Sequence, residues 1–106
     1  MDITLEQAAP VLAQLGNQTR LAIVRLLVRA ADTGLTVGEI QRSLDIPGST
    51  LSHHLQHLRA AGLMTQSREG STLRCQVDIA LLQTLAGFLV TECCSGVHLT
   101  DTTDAA

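Results

Sequence analysis

At 106 residues the chain has room for one domain with a usable core and not for two. Hydrophobic residues make up 45% of it and aromatic residues 1%, with Phe88 the one ring of its kind, so the core has to be Leu, Val, Ile and Ala, the composition of packed helices. The net charge of −3 comes from 7 basic residues, none of them Lys, against 10 acidic ones, a balance that predicts weak affinity for random nucleic acid. The charge is uneven. Residues 39–75 carry Arg42, Arg59, Arg68 and Arg74 against Glu39, Asp45 and Glu69, whereas residues 76–106 carry Asp78, Glu92, Asp101 and Asp104 and no base. No run approaches the roughly 18 apolar residues of a membrane span, and the opening residues lack the basic and apolar stretches of a secretory leader. A cytoplasmic protein with no membrane partner is expected, and its cysteines, Cys75, Cys93 and Cys94, are read as thiols, ligands or redox groups rather than structural bridges.

In chain order, Thr4 to Leu15 reads as a helix with Leu5, Ala8, Ala9, Leu12 and Leu15 apolar, in which Pro10 is expected to cause a kink or a delayed start. Gly16 ends it, and Asn17 is a suitable N-cap for a second helix from Gln18 to about Ala31. Leu21, Ile23, Val24, Leu26, Leu27 and Val28 cover most of its circumference and leave Arg25 and Arg29 exposed, so this helix is central. Thr36-Val-Gly-Glu39 is a capping-box pattern that opens a short helix to about Leu44, and Asp45-Ile-Pro-Gly48 breaks the chain after it.

The stretch from Ile46 to Leu63 follows. At about 100° per residue, Leu51, Leu55, Leu58 and Gly62 share one narrow arc, the core face. Opposite lie Ser49, His53, Gln56 and Ala60, flanked by Ser52 and His57, which are small or hydrogen-bonding groups where a solvated helix usually carries Lys and Glu. Such groups contact phosphate oxygens and base edges, and a helix N-terminus adds backbone N–H donors. A polar face with no partner has the same composition. The preceding elements favour the DNA reading: a short helix, a Gly/Pro turn and a polar-faced second helix make the helix-turn-helix order. Ser49, Thr50, Ser52, His53, Gln56 and Arg59 are the candidate contacts to double-stranded DNA.

Leu63 to Arg68 and Thr72 to Asp78 alternate around Glu69-Gly-Ser71 and predict a β-hairpin, with Arg68 and Arg74 either side of its loop as a wing on a phosphate backbone requires. The last helix, Ile79 to about Cys94, has Ile79, Leu82, Ala86, Leu89 and Cys93 on one side and Leu81, Leu85 and Phe88 on the next. Two apolar faces exceed what one core needs, so one is expected to pair with a second copy of the chain. Residues 1–94 are thus read as one DNA-binding and dimerisation domain and residues 95–106, without periodicity, as a flexible tail.

These residues carry a resemblance. Thr19-Arg-Leu21, Ser52-His-His-Leu55, Leu58-Arg-Ala-Ala-Gly-Leu63 and Arg68-Glu-Gly70 are similar to the matching motifs of the ArsR/SmtB winged-helix repressors, and the likeness runs from Leu5 to Cys94. It implies a mainly α winged helix-turn-helix of order α-α-α-α-β-β-α, a homodimer paired through the first and last helices, a palindromic operator, and release of DNA on metal or metalloid binding. It does not imply an enzyme. The third-helix thiols of the arsenite site are absent from Val37-Gly-Glu-Ile-Gln41, and the last-helix zinc site keeps Asp78 but lacks its histidines.

What remains is Cys93-Cys94, which resembles the adjacent-cysteine arrangement of arsenic-responsive members. Trivalent arsenic, as arsenite or methylarsenite, is thiophilic, and soft thiolates select such centres. Neighbouring side chains on a helix diverge by about 100°, so chelation asks the helix end to loosen at Ser95-Gly96. Two small hydrophobes ending an apolar helix is the competing reading. Arsenite takes three thiolates and a methylated arsenical two, so a third ligand, if any, comes from elsewhere, with Cys75 expected to be buried. Two alternatives stand beside the metalloid sensor: a thiol redox-sensing repressor of the same fold, against which counts the lack of a thiol on the second helix, and a dimeric adaptor that no longer binds DNA.

Overall fold

A computed structural model of the chain describes residues 2–91. Its first helix, α1, spans Leu5–Leu15 and opens on a capping box: Thr4 accepts from the Gln7 N–H at 3.2 Å and Gln7 accepts from the Thr4 N–H at 2.9 Å. Pro10 lies inside this helix without delaying its start. The backbone bond it removes would have gone to Glu6, an exposed residue whose carbonyl water can serve. The second helix, α2, spans Gln18–Ala30 with Asn17 as its N-cap, as the sequence predicts. Ile23, Val24 and Leu27 are its buried residues, while Leu21 and Val28 stay exposed, so α2 is apolar around more of its surface than the core covers.

After α2 comes an element the sequence reading did not contain. A 3-10 turn over Ala31–Thr33 leads into a two-residue strand, β1, Leu35–Thr36. It is held by long-range pairing, Leu35 with Cys75 and Thr36 with Arg74, which no local pattern encodes. Gly34 makes the approach possible: at φ +66° a Cβ there would collide with the carbonyl oxygen of Cys75.

Helix α3, Val37–Leu44, carries the predicted Thr36/Glu39 capping box, with bonds of 3.1 and 2.8 Å. Asp45, at φ 52° and ψ 53°, turns the chain out of it. Helix α4 spans Gly48–Ala60. Gly62 was expected on its core face and instead ends it at φ +78°, exposed, because the chain closes a Schellman motif there. Leu63 N–H donates to Leu58 O and Gly62 N–H to Arg59 O, both at 3.0 Å, and the buried side chains of Leu58 and Leu63 supply the hydrophobic contact that accompanies such an end.

Strands β2, Met64–Glu69, and β3, Thr72–Val77, form the hairpin; its register pairs Glu69 with Thr72 and leaves a two-residue loop, Gly70-Ser71, with positive φ at Gly70 only. The sheet order is β1-β3-β2. Helix α5 begins at Ile79, capped by Asp78, whose carboxylate accepts from the Leu81 N–H at 2.9 Å. It closes at Val90, short of the Cys94 that the apolar stripe suggested. Thr91 leaves helical geometry at ψ 135°, and its hydroxyl donates to Gly87 O at 2.7 Å, so a side chain satisfies a terminal carbonyl that a further turn would have used. Cys93, Cys94, His98 and the tail lie outside the described residues.

One core joins these elements. Ile23, Val24 and Leu27 of α2, Ile40 of α3, Leu51, Leu55 and Leu58 of α4, Leu63, Met64, Cys75 and Val77 of the hairpin, and Leu85 of α5 are all buried together with Ala8. At about 1.5–3 kcal/mol for each fully buried Leu or Ile side chain, this cluster is the main favourable contribution to the fold. No helix among the described residues is long and apolar enough to cross a membrane.

Candidate nucleic-acid interface

The two faces of α4 separate as the spacing of its residues requires. Leu51, Leu55 and Leu58 are buried at 0%, 2% and 0% exposure, whereas Ser49, Thr50, Ser52, His53, Gln56, Arg59 and Ala60 are exposed. His54 and His57 occupy the flank and are half-buried. The helix opens on Pro47 with no side-chain cap, so the N–H groups of Gly48, Ser49 and Thr50 are left by the helix at an exposed end, beside two hydroxyls. The three-residue break Asp45-Ile46-Pro47 sets α4 after α3, and the three buried leucines hold it on α2 and β2 with its polar side outward.

The histidines form a small cluster. The rings of His53 and His57, one turn apart, meet edge to face with centroids 4.5 Å apart, and those of His53 and His54 lie 5.8 Å apart. Among the described residues no group of three or more His, Cys, Asp or Glu side chains is placed to hold a metal ion. Burial, together with the Arg20 guanidinium and the neighbouring rings, pushes the His54 pKa below the ordinary 6.5 of a histidine.

In the wing, Arg68 is exposed opposite Leu73, while Arg74 is engaged inside the chain. Its Nε makes an ion pair with Glu69 at 3.0 Å and its Nη1 donates to Thr33 O at 3.1 Å. A sequence pattern shows the charge beside the loop but not these partners, because Thr33 is 41 residues away. On the inner side of the sheet Cys75 is fully buried, with the Gln66 amide donating to its sulfur at 3.5 Å; burial pushes its thiol pKa up, which makes it a poor nucleophile and a poor ligand. Asp78 caps α5 through one carboxylate oxygen.

A helix-turn-helix with its second helix exposed, followed by a two-stranded wing, defines a winged helix-turn-helix DNA-binding domain. The comparisons agree. A helix-turn-helix domain family matches residues 15–67, half of the chain. The putative arsenical resistance operon repressor ArsR of Halobacterium salinarum is 38% identical over 86 residues, which are 78% of this chain and 66% of that protein, so the chain spans about two thirds of that relative's length. HlyU of Vibrio cholerae, a transcriptional activator, is structurally similar at a TM-score of 0.70 and 29% identity, covering 89% of this chain and 99% of that one. The homodimeric winged helix-turn-helix domain Mb0332 of Mycobacterium bovis, a possible ArsR-family regulator, matches at 0.66 and 30%, covering 89% and 87%. The chain belongs to the ArsR family of winged helix-turn-helix transcriptional regulators. These relatives regulate transcription and are not enzymes.

Proposed function

We propose that the chain is a cytoplasmic homodimeric repressor that holds operator DNA in its ligand-free form and releases it when trivalent arsenic, as arsenite or methylarsenite, binds the Cys93-Cys94 thiols. The observation that carries the DNA half is the outward face of α4, where Ser49, Thr50, Ser52, His53, Gln56 and Arg59 are exposed over a fully buried leucine stripe. In this reading Gln56 and His53 reach base edges, Ser49, Thr50 and Ser52 with the free N–H groups of the first turn hold phosphate, and Arg59 and Arg68 contribute charge at the two margins. Arg74 joins them: two of its guanidinium donors brace the wing on Glu69 and Thr33 O, and the others are left for phosphate.

The dimer half rests on the apolar surface that α1 and α5 leave uncovered, with Leu5 at 67%, Leu89 at 63% and Val90 at 64% exposure, and on the homodimeric relative. The inducer half rests on the vicinal thiols and on a relative named for arsenical resistance. Coupling follows from position: the thiols come three and four residues after the end of α5, so closing them on one arsenic atom reshapes the margin of the pairing surface and with it the spacing of the two α4 helices. The likeness to HlyU, known in a reduced form, favours a second reading in which the same thiols respond to oxidation.

The test uses a duplex enriched by the wild-type protein from a randomised pool. Arsenite or methylarsenite is expected to release it from wild type and not from the Cys93→Ser/Cys94→Ser variant, with DNA affinity itself unchanged by the substitutions. Release that survives in the variant removes the sensor assignment, and release by oxidant in metalloid-free buffer transfers it to the redox reading.

A further inference from the structure

Arg20 belongs to none of the groups assigned so far, yet it joins three helices. It is the third residue of α2, and its own N–H donates to the Asn17 side chain at 3.0 Å. Its Nε donates to Gln14 O in the last turn of α1 at 2.8 Å, and its Nη1 lies 3.3 Å from His54 Nδ1 on α4. A guanidinium has only donors, so Nδ1 must be the acceptor: His54 is neutral, with its proton on Nε2. Close packing does not do this job nearby. Between α1 and α4, Pro10, Val11, Gln14, His57, Ala60 and Ala61 line a cleft of about 190 Å³, and the Gln14 Oε1 is buried without a hydrogen-bond partner among the described residues.

We propose that Arg20 is a positioning residue for DNA reading, fixing the rotation of α4 against α1 by bridging Gln14 O to His54. This deepens the proposed function and rests on α4 being the reading helix. His54 is the neighbour of His53 and lies two residues from Gln56, so a turn of α4 about its axis carries both out of register with the base edges. The bridge also makes reading sensitive to acid. Protonated His54 has no acceptor at Nδ1 and faces a permanent charge. The charged and titratable groups around it are Arg20 from α2 and His53 and His57 from α4, all of which disfavour its proton.

Two measurements test this. In the free protein, the His54 ring is followed by NMR from pH 5 to 8; Arg20→Gln is expected to raise its pKa toward the ordinary histidine value, and an unmoved titration overturns the bridge without any reference to DNA. Binding is then read on the enriched duplex at neutral pH. Arg20→Lys keeps the charge but loses the fork, and is expected to weaken affinity about tenfold, the loss of one charge-assisted hydrogen bond. His54→Ala should match it. His54→Asn, whose Oδ1 can accept from Arg20 without titrating, should restore binding and remove the part of the acid dependence that belongs to His54. Wild-type affinity in Arg20→Lys, or His54→Asn no better than His54→Ala, overturns the positioning role. If the wild-type protein enriches no duplex, the DNA-reading proposal fails and the positioning role falls with it, whatever the ring titration shows.

Discussion

Ala31 closes α2 at φ 52° and ψ −133°, a backbone region that a side chain with a Cβ rarely occupies. The chain needs the bend there because the next residues must carry it through Gly34 to pair with β3, and the cap N–H already bonds to Leu27 O and Val28 O. Ala31→Gly is therefore expected to stabilise the protein by about 1 kcal/mol, relief of strain exceeding the entropy that glycine costs the folded state. A urea midpoint that falls or stays put would show the position to be unstrained. The residue scale also separates what the sequence shows from what it hides. Asn17, Thr36 and Glu39 act within three residues of themselves, so their capping is readable. The partners of Arg20, His54 and Arg74 lie up to 41 residues away and are not.

At the scale of elements, periodicity placed α1 to α4 and the hairpin because each has an apolar stripe that only one secondary structure can bury. It failed at β1, two residues long and made by pairing with β3, and at the end of α5, where the apolar pattern runs on past the Thr91 that terminates the helix. Gly62 shows the same ambiguity, since a residue in phase with a helical stripe can also be the one that stops it. The division of α4 into a buried and an exposed face has an energetic consequence. Leu58, fully buried against the hairpin side of the core, is expected to cost about 2–5 kcal/mol as Leu58→Ala, read as a lowered denaturation midpoint. A loss under 1 kcal/mol would mean that α4 is not anchored by this stripe and that its outward face is not fixed.

For the whole molecule, two surfaces left open by the single subunit meet in one activity. The polar side of α4 offers hydrogen bonds with little charge, in a chain without Lys, so the proposed function draws affinity from complementary contacts on two half-sites rather than from a basic field. In the proposed dimer the exposed apolar residues of α1 and α5 pair and bring in the second half-site. The exposed face of α4 was legible because it depends on one helix; the thiols proposed as the sensor lie outside the described residues and rest on sequence and resemblance. The most direct measurement compares affinity for the enriched duplex among wild type, Gln56→Ala and Leu89→Arg, with sedimentation alongside. Gln56→Ala is expected to stay dimeric and folded while losing about 1–3 kcal/mol of discrimination for the selected sequence, and Leu89→Arg to become monomeric and lose the duplex. A Gln56→Ala dimer that binds and discriminates as wild type does would contradict the assignment of α4 as the reader.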